Sequence, residues 1–199
     1  MLVLVNGGSC SGKSTFSERL KQMLVESGVS CDCLSTDLFY KEIPQNCNLY
    51  DYNFDTPAAF DNELFFETVN LIQRGKAFQL ECFDFKTHSR SKIMSIKSCR
   101  VLIVEGIFSF VDKKLVNSST LNIFIDTDLQ TRYKRRYKIY SQIMKHDDSF
   151  INHKFYNQAE PYFESDIYPL RRYSHLVING DKSFDVPLKC VTAYLRSIL

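Results

Sequence analysis

Little in this sequence is extreme, and what is missing narrows its function class. Charge of one sign is not in excess: 25 Lys and Arg stand against 23 Asp and Glu, a formal net charge of +2 over 199 residues. Charge balance therefore does not demand an extended polyanion such as a nucleic acid as partner, and small ligands are the default. The seven cysteines (Cys10, Cys31, Cys33, Cys47, Cys82, Cys99 and Cys190) form no CxxC pair, which argues against a zinc site or a redox pair. An odd set of unpaired thiols predicts a reducing, cytoplasmic compartment. No apolar run approaches the length of a membrane span, and the opening MLVLVNGG has no basic stretch before its short apolar run. Neither a signal peptide nor membrane association is expected. Repeats, low-complexity tracts and Pro/Gly-rich linkers are also missing, so residues 1–199 are expected to form one domain. With 44% hydrophobic residues, the chain can bury a substantial core.

What is present alternates. Short apolar runs at Leu2–Val5, Val29–Ser35, Val101–Glu105, Leu121–Asp126 and His175–Asn179 suit strands buried on both faces of a parallel sheet. Helical patterns lie between and after them, at Lys13–Ser27, Pro57–Arg74, Leu129–Ile143, Phe150–Leu170 and Val186–Leu199. Five strands alternating with helices predict an α/β fold with a parallel five-stranded sheet flanked by helices. The stretch 77–98 departs from this rhythm: Ala77–Phe83 and Lys92–Lys97 flank the polar segment KTHSRS, which reads as a β-hairpin excursion with a polar tip.

Gly7-Gly8-Ser9-Cys10-Ser11-Gly12-Lys13-Ser14 fits GxxxxGK(S/T), directly after the first apolar run and at the start of a helical pattern containing Phe16, Leu20, Met23 and Leu24. That context is the one a P-loop requires. Its glycines let backbone N–H groups turn inward and the helix N-terminus adds positive potential, so phosphates are held largely by the main chain. Lys13 would supply a charge near the β- and γ-phosphates and Ser14 a hard oxygen for Mg²⁺, with Thr15 next in the helix. Cys10 reads as a reactive thiol lowered by the helix N-terminus or as a small residue whose backbone alone matters.

Ligands of doubly wound sheets bind at the carboxyl ends of the strands, where Asp37 and Glu105 stand. Asp37 can accept the proton of an attacking hydroxyl or help hold Mg²⁺; its alternative role is to cap the helix begun by LFYKE. Glu105, ending VLIVEG, suits a Walker B acid on the metal, or a purely structural buried carboxylate.

The ordered strings GGSCSGKST, LSTDLFYK, YNFDTPAAFD, FDFKTHSR, VLIVEGIF and FIDTDLQTRYKRR resemble the uridine kinase family, within the uridine kinase and phosphoribulokinase group of P-loop enzymes. The resemblance runs from Leu2 to about Gly180, more loosely in the last third. It implies transfer of the ATP γ-phosphate to the 5′-hydroxyl of a pyrimidine ribonucleoside, with Asp37 as general base beside Lys13 and Arg136 in the catalytic set. Asp55 and Arg136 match the pair on the ribose hydroxyls, and His88 matches the contact to the base edge. Tyr40 and Phe83 are placed with them on the acceptor side, and Arg135 with the ATP-binding residues. Two simpler readings stand beside these: Asp55 as the cap of a helix starting at Pro57, and His88 as an exposed loop histidine. Self-association of the chain is the corresponding expectation for oligomeric state.

The resemblance breaks in two places. Where the family has PVYDF, this chain has Cys82-Phe83-Asp84-Phe85, so a hydroxyl donor at the base edge is missing and the choice of nucleoside is open. In the lid, about 132–148, the family's RDxxxRGR gives way to YKIYSQIMKHDD, with Ile139 and Met144 where arginines would stand. Arg132, Arg135, Lys138 and Lys145 are the remaining cations, although Arg132 and Lys134 also suit a solvated helix face. A transition-state arginine can be worth roughly 10³-fold or more, so the change implies slow catalysis or a rebuilt lid. Two alternatives to a uridine or cytidine kinase follow: a nicotinamide riboside kinase-like enzyme and a catalytically weak nucleotide-binding protein. The aromatics Tyr156, Tyr162, Phe163, Tyr168 and Tyr173 read as core packing, because no basic groove is interleaved with them to stack nucleic acid.

Overall fold

The computed structural model describes every residue except Lys86. Five strands, β1 (Leu2–Asn6), β2 (Cys31–Ser35), β5 (Val101–Glu105), β6 (Leu121–Asp126) and β7 (Leu176–Asn179), form a parallel sheet in the order β2-β5-β1-β6-β7. Between them run α1 (Lys13–Glu26), α2 (Asn62–Gln73), α3 (Lys113–Ser118), α4 (Leu129–Lys138), α5 (Asp148–Asn152) and the short α6 (Glu160–Tyr162); α7 (Asp185–Ser197) follows β7. An antiparallel hairpin of β3 (Phe78–Asp84) and β4 (Ser89–Ile96) forms a second, two-stranded sheet.

The apolar runs become strands because side chains alternate between two faces and both faces are covered. Leu2 and Leu4 of β1 and Leu102 and Val104 of β5 face a core with Phe39, Phe60, Phe65 and Phe108. Val3, Val5, Val101 and Ile103 face the opposite core, with Phe16, Leu20 and Leu24 of α1 and Leu188 and Leu195 of α7. Fully burying such a side chain is worth roughly 1.5–3 kcal/mol. Slipping β1 by one residue would exchange its two faces and lose the pairing Val5↔Glu105. Among the described residues, no helix is long and apolar enough to cross a membrane.

Several expected boundaries move, each for a local reason. The helix expected over 57–74 is a 3₁₀ turn at Pro57–Ala59, an extended Phe60 bridged to Tyr40, and then α2. Asp61 starts α2 by accepting a hydrogen bond from Leu64 N at 3.1 Å, and that cap replaces continuous helix. The helix over 129–143 ends at Lys138 and closes in a π turn, Ile139–Ile143. The helix over 150–170 starts earlier, capped by Asp147 (Phe150 N to Asp147 Oδ1, 2.8 Å), and continues through mixed α, π and 3₁₀ turns to Tyr173. The short α3, capped by Asp112, was not foreseen. In the hairpin, β4 begins at Ser89 rather than Lys92, so Ser89, Arg90 and Ser91 of the expected tip are strand; Lys86 of that tip lies outside the described residues. β2 and β7 start at Cys31 and Leu176, slightly later than their apolar runs suggest.

Arg132 belongs to neither expected category. It is 2% exposed, pairs with both carboxylate oxygens of Glu160 at 2.6 and 2.8 Å, donates from Nε to Thr127 O at 3.1 Å, and lies 4.0 Å over the Phe163 ring. The pair ties α4 to the helical run that carries α6. Removing one partner of a buried pair leaves an uncompensated charge, which costs about 3–5 kcal/mol. Glu160→Ala should therefore lower Tm by roughly 6–20 °C in a chain of this size, measured by calorimetry; a shift within the scatter of surface substitutions would refute this role.

Candidate active site

At the carboxyl edge of the sheet, β1 turns into residues 7–12, and Gly7 makes that turn possible. Its φ is +147°, and a Cβ there would sit 2.5 Å from Ile125 O, so neither the backbone nor the space admits a side chain. Cys10 adopts φ +60° and is half-buried, consistent with a residue used for its backbone. The loop is gripped from outside: Ser11 O accepts from Thr127 Oγ1 at 2.8 Å and from Arg135 Nη1 at 3.0 Å, and Cys10 O from the same Nη1 at 3.3 Å. With these carbonyls turned to side-chain donors, the unpaired amides of the first turn of α1, which begins Lys13-Ser14-Thr15, are available to an anion. Gly8 and Gly12 complete the loop, and Lys13 folds back so that Nζ lies 3.4 Å from Gly8 O.

Strand register brings the acids to this loop. Ser35 pairs with Glu105, and Val5 with the same Glu105, so three adjacent strands end together. Gly106 (φ +143°) lets Thr36 pack against it, where a Cβ would fall 1.7 Å from Thr36 Oγ1. That close approach seats Asp37 beside Glu105. Asp37 is not a helix cap: Ser35 Oγ accepts from Asp37 N at 3.2 Å, and the Asp37 carboxylate lines a cavity. Asp37 is exposed to the cavity, and its carboxyl is pushed up to about 6 by desolvation and then by the Glu105 charge, with Lys13 working the other way. Glu105 is buried and accepts from Ser14 Oγ at 3.1 Å.

The cavity holds about 520 Å³, within the range of about 300–1,000 Å³ typical of small-molecule sites. One end is lined by Ser9, Lys13 and Asp37, and its walls by Tyr40, Phe54, Asp55, Phe85, His88, Arg136, Tyr140, Phe150 and Lys154 among others. Asp55 does not cap the turn at Pro57, whose N-cap is Thr56 without a side-chain bond. Its carboxylate lies 3.9 Å from Arg136 Nη2, both groups nearly buried. Arg136 also donates to Ser9 Oγ at 3.0 Å and lies 4.8 Å over the Tyr140 ring. A single guanidinium thus touches the phosphate loop and the acid of the far wall. Arg135, by contrast, is spent on loop carbonyls and Gly180 O (2.8 Å).

His88, at φ +52°, reaches the cavity wall near Phe54 (6.4 Å between rings). Tyr40 is buried and meets Phe54 and Phe85 edge-on at 5.2 and 5.5 Å. Phe83 is a correction: 3% exposed, it packs behind the wall against Tyr40 and Phe85 at 5.9 and 5.0 Å, and Phe85, just past the end of β3, takes the lining position. Sequence reasoning also missed Tyr140, His146, Phe150, Lys154 and Gln158. Phe85 lies in the turn just past β3, where strand period does not reach; nothing marked a lone lysine inside an aromatic helical segment.

Because Asp37 is raised above its ordinary value near 3.8 to about 6, its ionisation disfavours the folded state. That penalty is absent below pH 4, develops between pH 4 and 6, and is complete above. Asp37→Asn should therefore raise Tm at pH 7.5 and leave it unchanged near pH 4. Equal effects at both pH values would refute the shift.

The Phosphoribulokinase / Uridine kinase family model matches residues 2–186. A uridine kinase of Staphylococcus aureus is 31% identical over 204 residues, covering 100% of this chain and 96% of that protein. A chloroplastic uridine/cytidine kinase of Arabidopsis thaliana is 30% identical over 190 residues, covering 92% of this chain. The chain spans only 39% of that longer relative. Among solved structures, D-glycerate 3-kinase from Cryptococcus neoformans var. grubii superposes with a TM-score of 0.60 at 15% identity, over 82% of this chain and 78% of that chain, a likeness of fold. With a glycine-rich loop, a lysine and strand-end acids meeting at one cavity, and with that match over nearly its whole length, the chain belongs to the phosphoribulokinase and uridine kinase family.

Proposed function

We propose that this chain transfers the γ-phosphoryl group of ATP to the 5′-hydroxyl of a nucleoside, uridine or cytidine. The observation that carries the reading is the single cavity shared by Lys13 and Ser9 of the phosphate loop, Asp37, and the Asp55–Arg136 pair. The relatives above are uridine and cytidine kinases, which favours those acceptors over nicotinamide riboside.

In this reading the loop amides and Lys13 hold the phosphates, and Asp55 with Arg136 fixes the two ribose hydroxyls in one orientation. Asp37, mostly ionised at neutral pH with a pKa near 6, accepts the proton of the attacking hydroxyl. Arg136, already on Ser9, lies where it can face charge spreading over the transferred group. Ser14 and Glu105 would hold Mg²⁺: both offer hard oxygens, and they already lie side by side, 3.1 Å apart, at the phosphate loop. The metal would neutralise charge on the β- and γ-phosphates. Self-association and a cytoplasmic location belong to the same proposal.

Acceptor-dependent ADP release from Mg-ATP should occur with uridine or cytidine. Asp37→Asn should cut kcat by roughly 10²–10⁴, and in the wild-type chain kcat/KM should rise with pH up to about 6 and then level, as the base ionises. ATP binding without turnover of any nucleoside would sink the reading and leave a nucleotide-binding protein.

A further inference from the structure

Asn6 closes β1 and directly precedes the phosphate loop, yet it is a fully buried polar side chain with no part in the contacts of the site described above. Its amide Nδ2 lies 3.3 Å from Gly106 O, 3.1 Å from Ile107 O and 3.1 Å from Ser109 Oγ. These three oxygens fix the orientation of the amide, because the flipped group would set Oδ1 against two carbonyls. The Ser109 hydroxyl, also fully buried, has Val5 O at 3.0 Å and Gly106 O at 2.9 Å within reach of its own proton. Asn6 Oδ1 meets no donor among the described residues.

An apolar side chain would fill this space at less cost than a buried amide whose acceptor is unmatched. It could not hold the chain opposite. Past the pairing Val5↔Glu105 the main chain adds one bond, from Gly106 N to Val5 O at 3.1 Å. The two chains then part, one into the phosphate loop and the other into the turn at 106–109, and the Asn6 amide spans the gap between them. Three parts of the site depend on that turn. Glu105, with Ser14 Oγ 3.1 Å from its carboxylate, immediately precedes it. Thr36 packs against Gly106 and leads into Asp37. Ile107 lines the cavity.

We infer that Asn6 is a positioning residue, whose amide sets the turn after β5, and with it Glu105 and Asp37, against the phosphate loop. The inference rests on the kinase reading for the reaction these acids serve. Its own content is the fit of Glu105 to a metal-bound nucleotide.

Titration calorimetry with the β,γ-imido analogue of ATP, in Mg²⁺ and in EDTA, gives the factor by which the metal tightens nucleotide binding. In Asn6→Ala that factor should fall roughly 10-fold or more, as when the partners that orient a metal ligand are removed. Affinity in EDTA, set by the loop amides and Lys13, should stay within about threefold. In turnover, kcat should fall roughly 10- to 100-fold while the acceptor KM stays within about threefold, since the Asp55–Arg136 pair is carried by other elements. A residue that merely filled the core would lower Tm and leave the metal factor where it was. Ser109→Ala removes one acceptor of the amide and keeps Asn6, so it should lower the same factor about three- to tenfold and add little to Asn6→Ala. Should Asn6→Ala fail to fold, Ser109→Ala carries the test. A metal factor within about twofold of wild type in the folded variants overturns the inference, and so does a wild-type chain whose nucleotide affinity ignores the metal. A metal factor lost in the variants, with no acceptor turnover in the wild type, sinks the kinase reading alone; turnover with the factor unchanged sinks this inference alone.

Discussion

Everything at this site depends on the register of three parallel strands. Val5 and Ser35 both pair with Glu105, so the phosphate loop, the Glu105 carboxylate and the segment carrying Asp37 leave the sheet at one level. The register is enforced by burial on both faces, since a one-residue slip would carry Leu2 and Leu4 into the core now filled by Val3 and Val5. The chemistry is therefore positioned by hydrophobic alternation, and its acids need no ordering of their own. Gly7 and Gly106 are where this arrangement becomes sterically exacting, because main chain and Thr36 occupy the space a Cβ would take.

Onto that edge the chain gathers charge that burial disfavours. Desolvation first, and then repulsion from Glu105, make Asp37 hold its proton more tightly. Asp55 is likewise raised by burial, with Arg136, Lys13 and Lys154 pulling it back. Such a set is weak support for folding. Its cost is borne by the two apolar cores, while the Arg132–Glu160 pair ties α4 to the helical run that carries α6. Stability and chemistry thus draw on different arginines of the same short run.

That division explains which parts were legible in the sequence. The strands, the phosphate loop and the strand-end acids Asp37 and Glu105 could be read because each is local: a run of alternating or continuous apolar residues, a glycine spacing, a carboxylate where a run ends. The roles of Arg132, Arg135 and Arg136 could not be separated by spacing, since three cations on one helical turn or two differ only in what the rest of the fold brings opposite them. Phe83, in β3, and Phe85, in the turn just past it, are two aromatics of one short string, and only the packing of Tyr40 and Phe54 decides which is covered. Lys154 was hidden for a similar reason: its surroundings are set by the loop at 50–55, about a hundred residues earlier. Helix ends were misplaced wherever Asp61, Asp112 or Asp147 caps a helix that apolar periodicity alone would extend or omit.

The segment that follows α4 is subject to the same constraints. Past Lys138 the helix opens into a π turn, and Tyr140 and Ile143 face the cavity with Met144 and Phe150. Ile143 is 73% exposed, an apolar side chain with little to cover it in the free chain. A guanidinium at such a position would hold phosphate by charge. An isoleucine and a methionine can only cover a ligand's apolar face and exclude water, which strengthens every polar contact beneath them. Arg136 is the one arginine of α4 that lines the cavity, and it already spans Ser9 and Asp55. The phosphate loop and the acid of the far wall therefore meet at a single guanidinium, so any displacement of α4 would disturb both contacts at once.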